Sequence, residues 1–444
     1  MFKFIFILSL FIFPNITLAD LPQNYKRLMD QYGFNESTFG FVIQNLSEKD
    51  ISPIKHNIEK PFNTASLVKI LTTYLAIKDL GPSFRWQSNF YHTGRINKEV
   101  LEGDLIFRGG ADASFSIYYL EKMLIDLRSK GIKKIKGNLV LDYSFFGEMP
   151  LKKDFDDSPL RAYNVLPSAI SLQSNTINFK IIVEKNKIKI KSDPNLDSLV
   201  IVNNLRLSNS KCGNWKSRMK FSVSKKDQKN IITFRGGFAK RCSKKEIDLA
   251  VMDKSQFFYE IFKTLWIKHG GIIEGGYRKE YNSIHNKVYL NHHSSKPLSE
   301  LIRDTNKFSL NLMARNLLLT TIKGDKDSIK PNENMTNQFI NNWFEKEGFL
   351  NKGLFVDNGA GLSRKTQINI NQLLQILQRI YNDPYMPEMI ASLPIASIDG
   401  TLKNKMKATK ISRYGHFKTG SLKNVVGIAG FFLNKNKDMN AFIF

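Results

Sequence analysis

Cysteine is nearly missing from this sequence: Cys212 and Cys242 are the only two among 444 residues. That count excludes a disulfide-dense scaffold and a cysteine-rich zinc module. Histidine is also scarce. The seven His residues are dispersed, and the His292-His293 pair has no carboxylate or thiol nearby in sequence, so neither a metal site nor a cofactor is expected. After the first residues there is no second long apolar run, which excludes a multi-span membrane protein. No internal repeat and no low-complexity tract occurs. Acidic residues are outnumbered, with 40 Asp and Glu against 66 Lys and Arg, a formal net charge of +26. Such a surface attracts polyanions. The lysines are scattered, however, and there is no zinc-finger spacing, Arg-rich helix or aromatic-plus-Gly RNA signature, so nucleic acid is not an expected partner. Peripheral association with an anionic cell wall or membrane surface remains as the expectation that the charge supports.

What is present begins with a leader. Lys3 precedes an apolar run from Phe4 to Phe13, followed by Pro14 and by Thr17-Leu18-Ala19. A charged start, a short apolar stretch and small residues at a cleavage position have the layout of a secretory signal peptide over residues 1–19. The run is too short to span a bilayer comfortably, which ranks the signal peptide above a membrane anchor. No Cys follows Ala19, so a lipoprotein anchor is not expected. The mature chain is thus expected to be exported, to the periplasm in a bacterium with two membranes. In that oxidising compartment Cys212 and Cys242 are expected to pair, with two free thiols as the alternative.

Hydrophobic residues make up 42% and charged residues 24%, an ordinary globular balance, and the length suggests two to four domains. Alternation predicts a strand from Thr38 to Leu46 and a shorter one near Ile51–His56. An apolar helical run follows from Leu67 to Leu80, stopped by Gly81-Pro82. From about Ser83 to Met252 the chain is rich in short alternating segments, with a helix between Tyr118 and Arg128 and a strand from Ile135 to Asp142. Helical periodicity returns at Ser255–His269 and recurs at Leu298–Arg303, Leu310–Ile322, Asn337–Glu347 and Ile370–Tyr381. The end alternates again over Arg413–Lys418, Val425–Leu433 and Met439–Phe444. The simplest architecture is one α/β (α+β) domain, residues 20–84 and 255–444, interrupted by a β-rich insertion at 85–254.

Three short motifs carry chemistry. Ser66-Leu67-Val68-Lys69 is a Ser-x-x-Lys at the start of a strongly apolar helix, whereas Ser52, Ser208, Ser217 and Ser222, which also precede a Lys by three, sit in polar sequence. Residues three apart share a helix face, so the Lys69 amine can reach the Ser66 hydroxyl. The helix N-terminus also favours an oxyanion. Ser309-Leu310-Asn311, the only Ser-x-Asn, opens another predicted helix, and Lys418-Thr419-Gly420, the only Lys-Thr-Gly, ends a predicted strand before Ser421. Singly, Ser66 and Ser309 read equally well as helix caps and Lys418-Thr419-Gly420 as a turn. Together, and in this order, they supply what acyl transfer needs: an activated hydroxyl, a base, a proton relay and a carboxylate holder.

With these motifs the sequence resembles the penicillin-binding-protein-4-like D-alanyl-D-alanine carboxypeptidases and endopeptidases, the class C low-molecular-mass penicillin-binding proteins. Ser66 and Ser309 are 243 positions apart. Simpler carboxypeptidases and class A β-lactamases keep these motifs much closer, and the class C group carries two extra domains there. Gly103-Asp104-Leu105-Ile106 with Gly109-Gly110-Ala111-Asp112, the stretch Ile135–Asp142, Asp357 with Gly361-Leu362-Ser363-Arg364, and Asp399-Gly400-Thr401-Leu402 also look like family segments. Leu310, Arg315 and Ala360 depart from the Asp, Glu and Ser that the family often has there.

The resemblance implies a β-lactamase/transpeptidase-like serine acyl-transferase domain with a large two-domain β-rich insertion, acting on peptidoglycan peptides and acylated by β-lactam antibiotics. It implies Ser66 as nucleophile, Lys69 as base and Ser309 as proton relay. Asn311, Lys418, Thr419, Gly420 and Ser421 would bind substrate, with Asp142 and Phe146 lining a side-chain pocket. The competing expectations are a β-lactamase or esterase on the same fold, which would need an efficient deacylating group, and a non-catalytic wall-binding module, which the intact motifs disfavour.

Overall fold

The apolar run after Ser66 forms the helix Val68–Leu80, and every residue from Val68 to Ile77 is buried. A helix buried all round belongs at the centre of a domain rather than on its surface. Gly81, at φ +82°, ends it in a conformation that residues with a Cβ rarely adopt. In this computed structural model the described residues are 27, 30, 31, 33, 35–48, 50–149, 155–282, 285–326 and 328–444. The expected leader 1–19, with its cleavage after Ala19, lies outside them. No helix among the described residues is long and apolar enough to cross a membrane.

The sheet beside that helix is built from both ends of the chain. Its order is Ile54–His56, Phe41–Asn45, Met439–Ile443, Val425–Leu433 and Gly415–Leu422, antiparallel throughout, with Val42 opposite Ile443. The helices Leu298–Phe308, Asn311–Lys323, Thr336–Lys346 and Ile370–Tyr381 close a first core that contains Leu71, Tyr74, Ile302, Leu317, Leu377 and Phe431.

A second core gathers Phe90, Phe107, Phe179, Phe234, Phe258 and Trp266. Around it lie a five-stranded and a four-stranded sheet, each mixing parallel and antiparallel pairs, and two three-stranded sheets. The alternating sequence of Ile177–Glu184 buries Ile177, Phe179 and Ile181 on one face, as period two requires. Cys212 and Cys242 are joined by a disulfide with a Cα–Cα distance of 4.9 Å.

Two expectations change. The helix Lys254–Lys268 was assigned with the first core, but Phe257, Phe258, Ile261, Phe262 and Trp266 bury in the second. The strands Tyr277–Glu280 and Val288–Ser294 likewise pair with Leu139–Asp142 and Gln87–His92. After the helix Lys254–Lys268, the next residue buried in the first core is Leu298. Periodicity identifies an apolar face and says nothing about which core receives it. The strand expected over Ile135–Asp142 is also two strands in different sheets, Lys134–Ile135 and Leu139–Asp142. They divide at Gly137, where a Cβ would stand 2.3 Å from the Gly103 carbonyl oxygen.

The disulfide closes a separation of 30 residues within the second core. Loop-closure entropy predicts that the double variant Cys212→Ser/Cys242→Ser loses ~3–4 kcal/mol of stability there. Urea unfolding followed by hydrogen exchange on the second core checks this, and an unchanged midpoint would contradict it.

Candidate active site

Ser66 sits in the 3-10 turn Ala65–Leu67 that feeds the central helix, and neither Thr64 nor Leu67 makes a side-chain cap at that end. Ala65 is buried with φ +46°, a left-handed conformation costing about 1–3 kcal/mol for a residue with a Cβ. Asn63 holds it there: its Oδ1 accepts from the Ala65 N–H at 3.0 Å and its Nδ2 donates to the Ser363 carbonyl at 2.8 Å. On the other side Gly361, at φ +72°, comes so close that a Cβ would stand 1.8 Å from the Ala65 carbonyl oxygen. The loop around Gly361 is therefore pressed onto the turn that presents Ser66.

Lys69, one helical turn on, is wholly buried. Its Nζ lies 2.9 Å from Ser66 Oγ, 2.8 Å from Asn311 Oδ1 and 2.7 Å from the Ala360 carbonyl oxygen. Asn311 presents its oxygen because its Nδ2 donates to the Tyr163 carbonyl at 3.2 Å. All three partners are oxygens that can accept from Nζ. In the neutral amine the two N–H groups would go to Asn311 and Ala360, leaving the lone pair for the Ser66 O–H. Burial pushes the Lys69 pKa well below the ordinary lysine value, and the nearby positive charges of Lys418 and Arg315 push it further.

Ser309 ends the helix Leu298–Phe308 in the left-handed region at φ 58°, ψ 44°, and Leu310 separates it from the helix Asn311–Lys323. The N-cap position belongs to Leu310, which makes no side-chain cap, so Ser309 does not cap its helix. Its Oγ instead accepts from Lys418 Nζ at 3.0 Å. Lys418 is fully buried on the strand Gly415–Leu422, also donates to the Thr419 carbonyl at 2.8 Å, and is pushed down to about 7 by burial. Thr419 Oγ1 lies 2.8 Å from Thr401 Oγ1. Gly420 lets this strand lie against the Ser66 turn, since a Cβ there would stand 2.7 Å from the Thr64 carbonyl and 3.2 Å from the Ser66 nitrogen. Ser421 follows on the same strand, exposed. Four segments thus meet: the Ser66 turn, the Ser309–Asn311 junction, the Ala360 loop and the Lys418 strand.

No side-chain hydrogen bond or ion pair among the described residues links Asp142 or Phe146 to these segments. The Asp142 carboxyl is buried at a strand end, accepts from the Ser144 N–H at 2.8 Å and lies 3.8 Å from Lys287 Nζ. Phe146 packs in the first core. The insertion approaches the site through later residues, with the Tyr163 carbonyl on Asn311 and the Val165 carbonyl accepting from Arg315 at 2.9 Å. Arg315 is buried and paired through two nitrogens with both oxygens of Glu333, each at 2.7 Å. Sequence reasoning missed the carbonyls of Ala360, Tyr163 and Val165, because a backbone acceptor has no residue-type signature. The resemblance did mark the Asp357–Arg364 and Asp399–Leu402 stretches that supply Ala360 and Thr401.

The profile of the D-Ala-D-Ala carboxypeptidase 3 (S13) family matches residues 22–444. D-alanyl-D-alanine carboxypeptidase DacB of Haemophilus influenzae is 25% identical over 446 residues, covering 98% of this chain and 89% of that protein. Penicillin-sensitive carboxypeptidase A of Dictyostelium discoideum is 25% identical over 403 residues, covering 84% of this chain and 74% of that protein. The crystal structure of penicillin binding protein 4 (dacB) from Haemophilus influenzae superposes with a TM-score of 0.78 at 23% identity, covering 91% of this chain and 89% of that one.

The contact of Gly361 with Ala65 predicts that Gly361→Ala destabilises the first core by about 2–4 kcal/mol, through both the close approach and the positive φ. Thermal unfolding checks it, and an unshifted Tm would show that the loop does not press on the Ser66 turn.

Proposed function

The chain belongs to the D-Ala-D-Ala carboxypeptidase 3 (S13) family, and from that premise we propose that Ser66 is the nucleophile that cleaves the bond before a terminal D-alanine in peptidoglycan stem peptides. The observation that carries this is the wholly buried Lys69 amine 2.9 Å from the Ser66 hydroxyl oxygen. Lys69 takes the proton as Ser66 Oγ bonds to the carbonyl carbon. The carbonyl electron pair moves to oxygen, and the resulting oxyanion is held by the backbone N–H groups of Ser66 and Ser421. Asn311 orients the peptide backbone. Lys418 and Thr419 hold the terminal carboxylate, and Gly420 leaves room for the substrate backbone. Ser309, bonded to Lys418, passes a proton to the departing nitrogen as the C–N bond breaks. Water then attacks the acyl-enzyme, Ser66 recovers its proton, and a shortened peptide leaves.

The same steps cleave a cross-bridge when the departing amine belongs to a second stem peptide, which is endopeptidase action. A β-lactam acylates Ser66 likewise, but its ring-opened amine stays tethered and the adduct persists. A β-lactamase would need an efficient deacylating carboxylate, and Glu333 has both oxygens engaged by Arg315. The expected leader 1–19 supports export to the periplasm, and the net charge of +26 supports a hold on the anionic wall or membrane surface.

Ser66→Ala abolishes release of D-alanine from a pentapeptide while the far-ultraviolet spectrum stays native, and Lys69→Ala lowers acylation about a thousandfold or more. Mass analysis of the peptide products checks both, and D-alanine release by the Ser66→Ala protein would place the nucleophile elsewhere. A pH profile separates Lys418 from Lys69. The Lys418 pKa is depressed to about 7, so its charge is present below that pH and lost above it. kcat/KM for a carboxylate-ended peptide therefore falls above about pH 7, approaching tenfold per pH unit. A carboxyl-amidated analogue lacks this alkaline limb, and identical profiles for the two would remove Lys418 from carboxylate recognition.

A further inference from the structure

The charge excess is spread along the chain, but one small part of the molecule carries more than its share. Residues 177–249 carry 18 Lys and Arg against six Asp and Glu, a net of +12 out of +26. Two three-stranded sheets lie there, and they differ in how they use their cations. In the sheet of Ile177–Glu184, Lys187–Asp193 and Lys244–Leu249, lysines have acidic partners: Lys180 with Asp193 at 2.9 Å, Lys189 with Glu184 at 2.7 Å and Lys244 with Glu246 at 2.9 Å. The sheet of Leu199–Ser208, Lys229–Ala239 and Met219–Lys226 contains no Asp or Glu in any strand.

Register fixes what this second sheet shows to solvent. Leu199, Ile201, Phe221, Val223, Ile232 and Phe234 face the second core. The alternate positions face outward and include Arg206, Lys220, Lys226 and Arg235, all exposed. None of these four makes an ion pair among the described residues. Lys220 stands directly opposite Arg235 on the neighbouring strand, and Asn204 faces Arg235 from the other side. Like charges directly opposite destabilise a ladder. With no acid on the face to offset the repulsion, an anionic partner would relieve it.

We propose that this acid-free face is an exosite that holds the enzyme on its polymeric substrate, peptidoglycan, whose stem peptides carry free carboxylates. The proposal rests on the activity proposed above, which makes that polyanion the substrate. A sheet face with cations spread over three strands suits a repeating anion, because several weak contacts share one surface and none must be buried. The exosite retains the enzyme on the wall and takes no part in the acyl transfer at Ser66.

The test uses the full-length protein with Ser66→Ala, so that the polymer stays intact, and measures retention on purified insoluble peptidoglycan. Lys220→Glu/Arg235→Glu is expected to lower retention about tenfold or more at low ionic strength, and roughly 0.5 M NaCl is expected to release the unaltered face similarly. With Ser66 restored, the double variant should keep its kcat/KM on a soluble pentapeptide and lose activity on the insoluble polymer. Lys220→Gln/Arg235→Gln should fall between, as charge removal without reversal requires. Unchanged retention of the Glu variant would overturn the proposal. So would retention on phosphatidylglycerol vesicles without retention on peptidoglycan, which would make the partner a membrane. Failure to cleave the soluble pentapeptide by the protein with native Ser66 would count against the proposed activity instead, since retention is read without turnover.

Discussion

A lysine amine buried without a counter-ion is the constraint from which the rest of the site follows. Among the described residues Lys69 has no carboxylate partner, and a charged ammonium taken out of water costs several kcal/mol. Burial and the neighbouring positive charges lower its pKa and so favour the neutral amine, which at 2.9 Å from Ser66 Oγ is placed for the base role proposed above. In that form the Asn311 oxygen and the Ala360 carbonyl would take its two hydrogens and leave the lone pair toward Ser66. Lys418 and Arg315 add positive potential that opposes reprotonation. Arg315 stands where similar proteins often carry an acid, yet its pairing with Glu333 lets a buried guanidinium remain charged and exert that influence.

Holding such an arrangement requires the scaffold to bring together distant parts of the chain. The strand that carries Lys418 comes from near the C-terminus, but it reaches the Ser66 turn because the last strand pairs with the first, Val42 against Ile443. Glycine sets the close approaches on both sides of Ser66, Gly361 over the Ala65 carbonyl and Gly420 beside the Ser66 nitrogen. The large insertion leaves and rejoins without interrupting this, and it contributes backbone carbonyls at Tyr163 and Val165 that orient Asn311 and Arg315.

Much of this was legible in the residues. The central helix, the helices from Leu298 to Tyr381 and the closing strands carry strong periodicity, and most observed limits lie close to those the pattern predicts; the helix expected over Leu298–Arg303 runs on to Phe308, and the strand expected over Arg413–Lys418 lies at Gly415–Leu422. Lys418-Thr419-Gly420 and Ser309-Leu310-Asn311 are unique in the sequence, and the structure brings them beside Ser66 and Lys69. Three things were not legible. Helix Lys254–Lys268 has an unambiguous apolar face, yet the residues that receive it lie far away in sequence. Asp142 is implied as a pocket residue by the resemblance alone, and its burial against Ser144 and Lys287 depends on how the sheets pack. The carbonyl of Ala360 acts through its backbone, and any residue type offers the same oxygen.

The ionisation of Lys69 tests the central claim most directly. In protein labelled with 13C at lysine Cε, the Lys69 signal, assigned by its loss in Lys69→Ala, is followed as pH is raised. The account predicts that it titrates well below the ordinary lysine value of 10.5 and moves upward when Arg315 is replaced by Met together with Glu333→Gln. An amine that stays protonated until pH 10 or above would contradict it, because a charged Lys69 cannot accept the proton of Ser66.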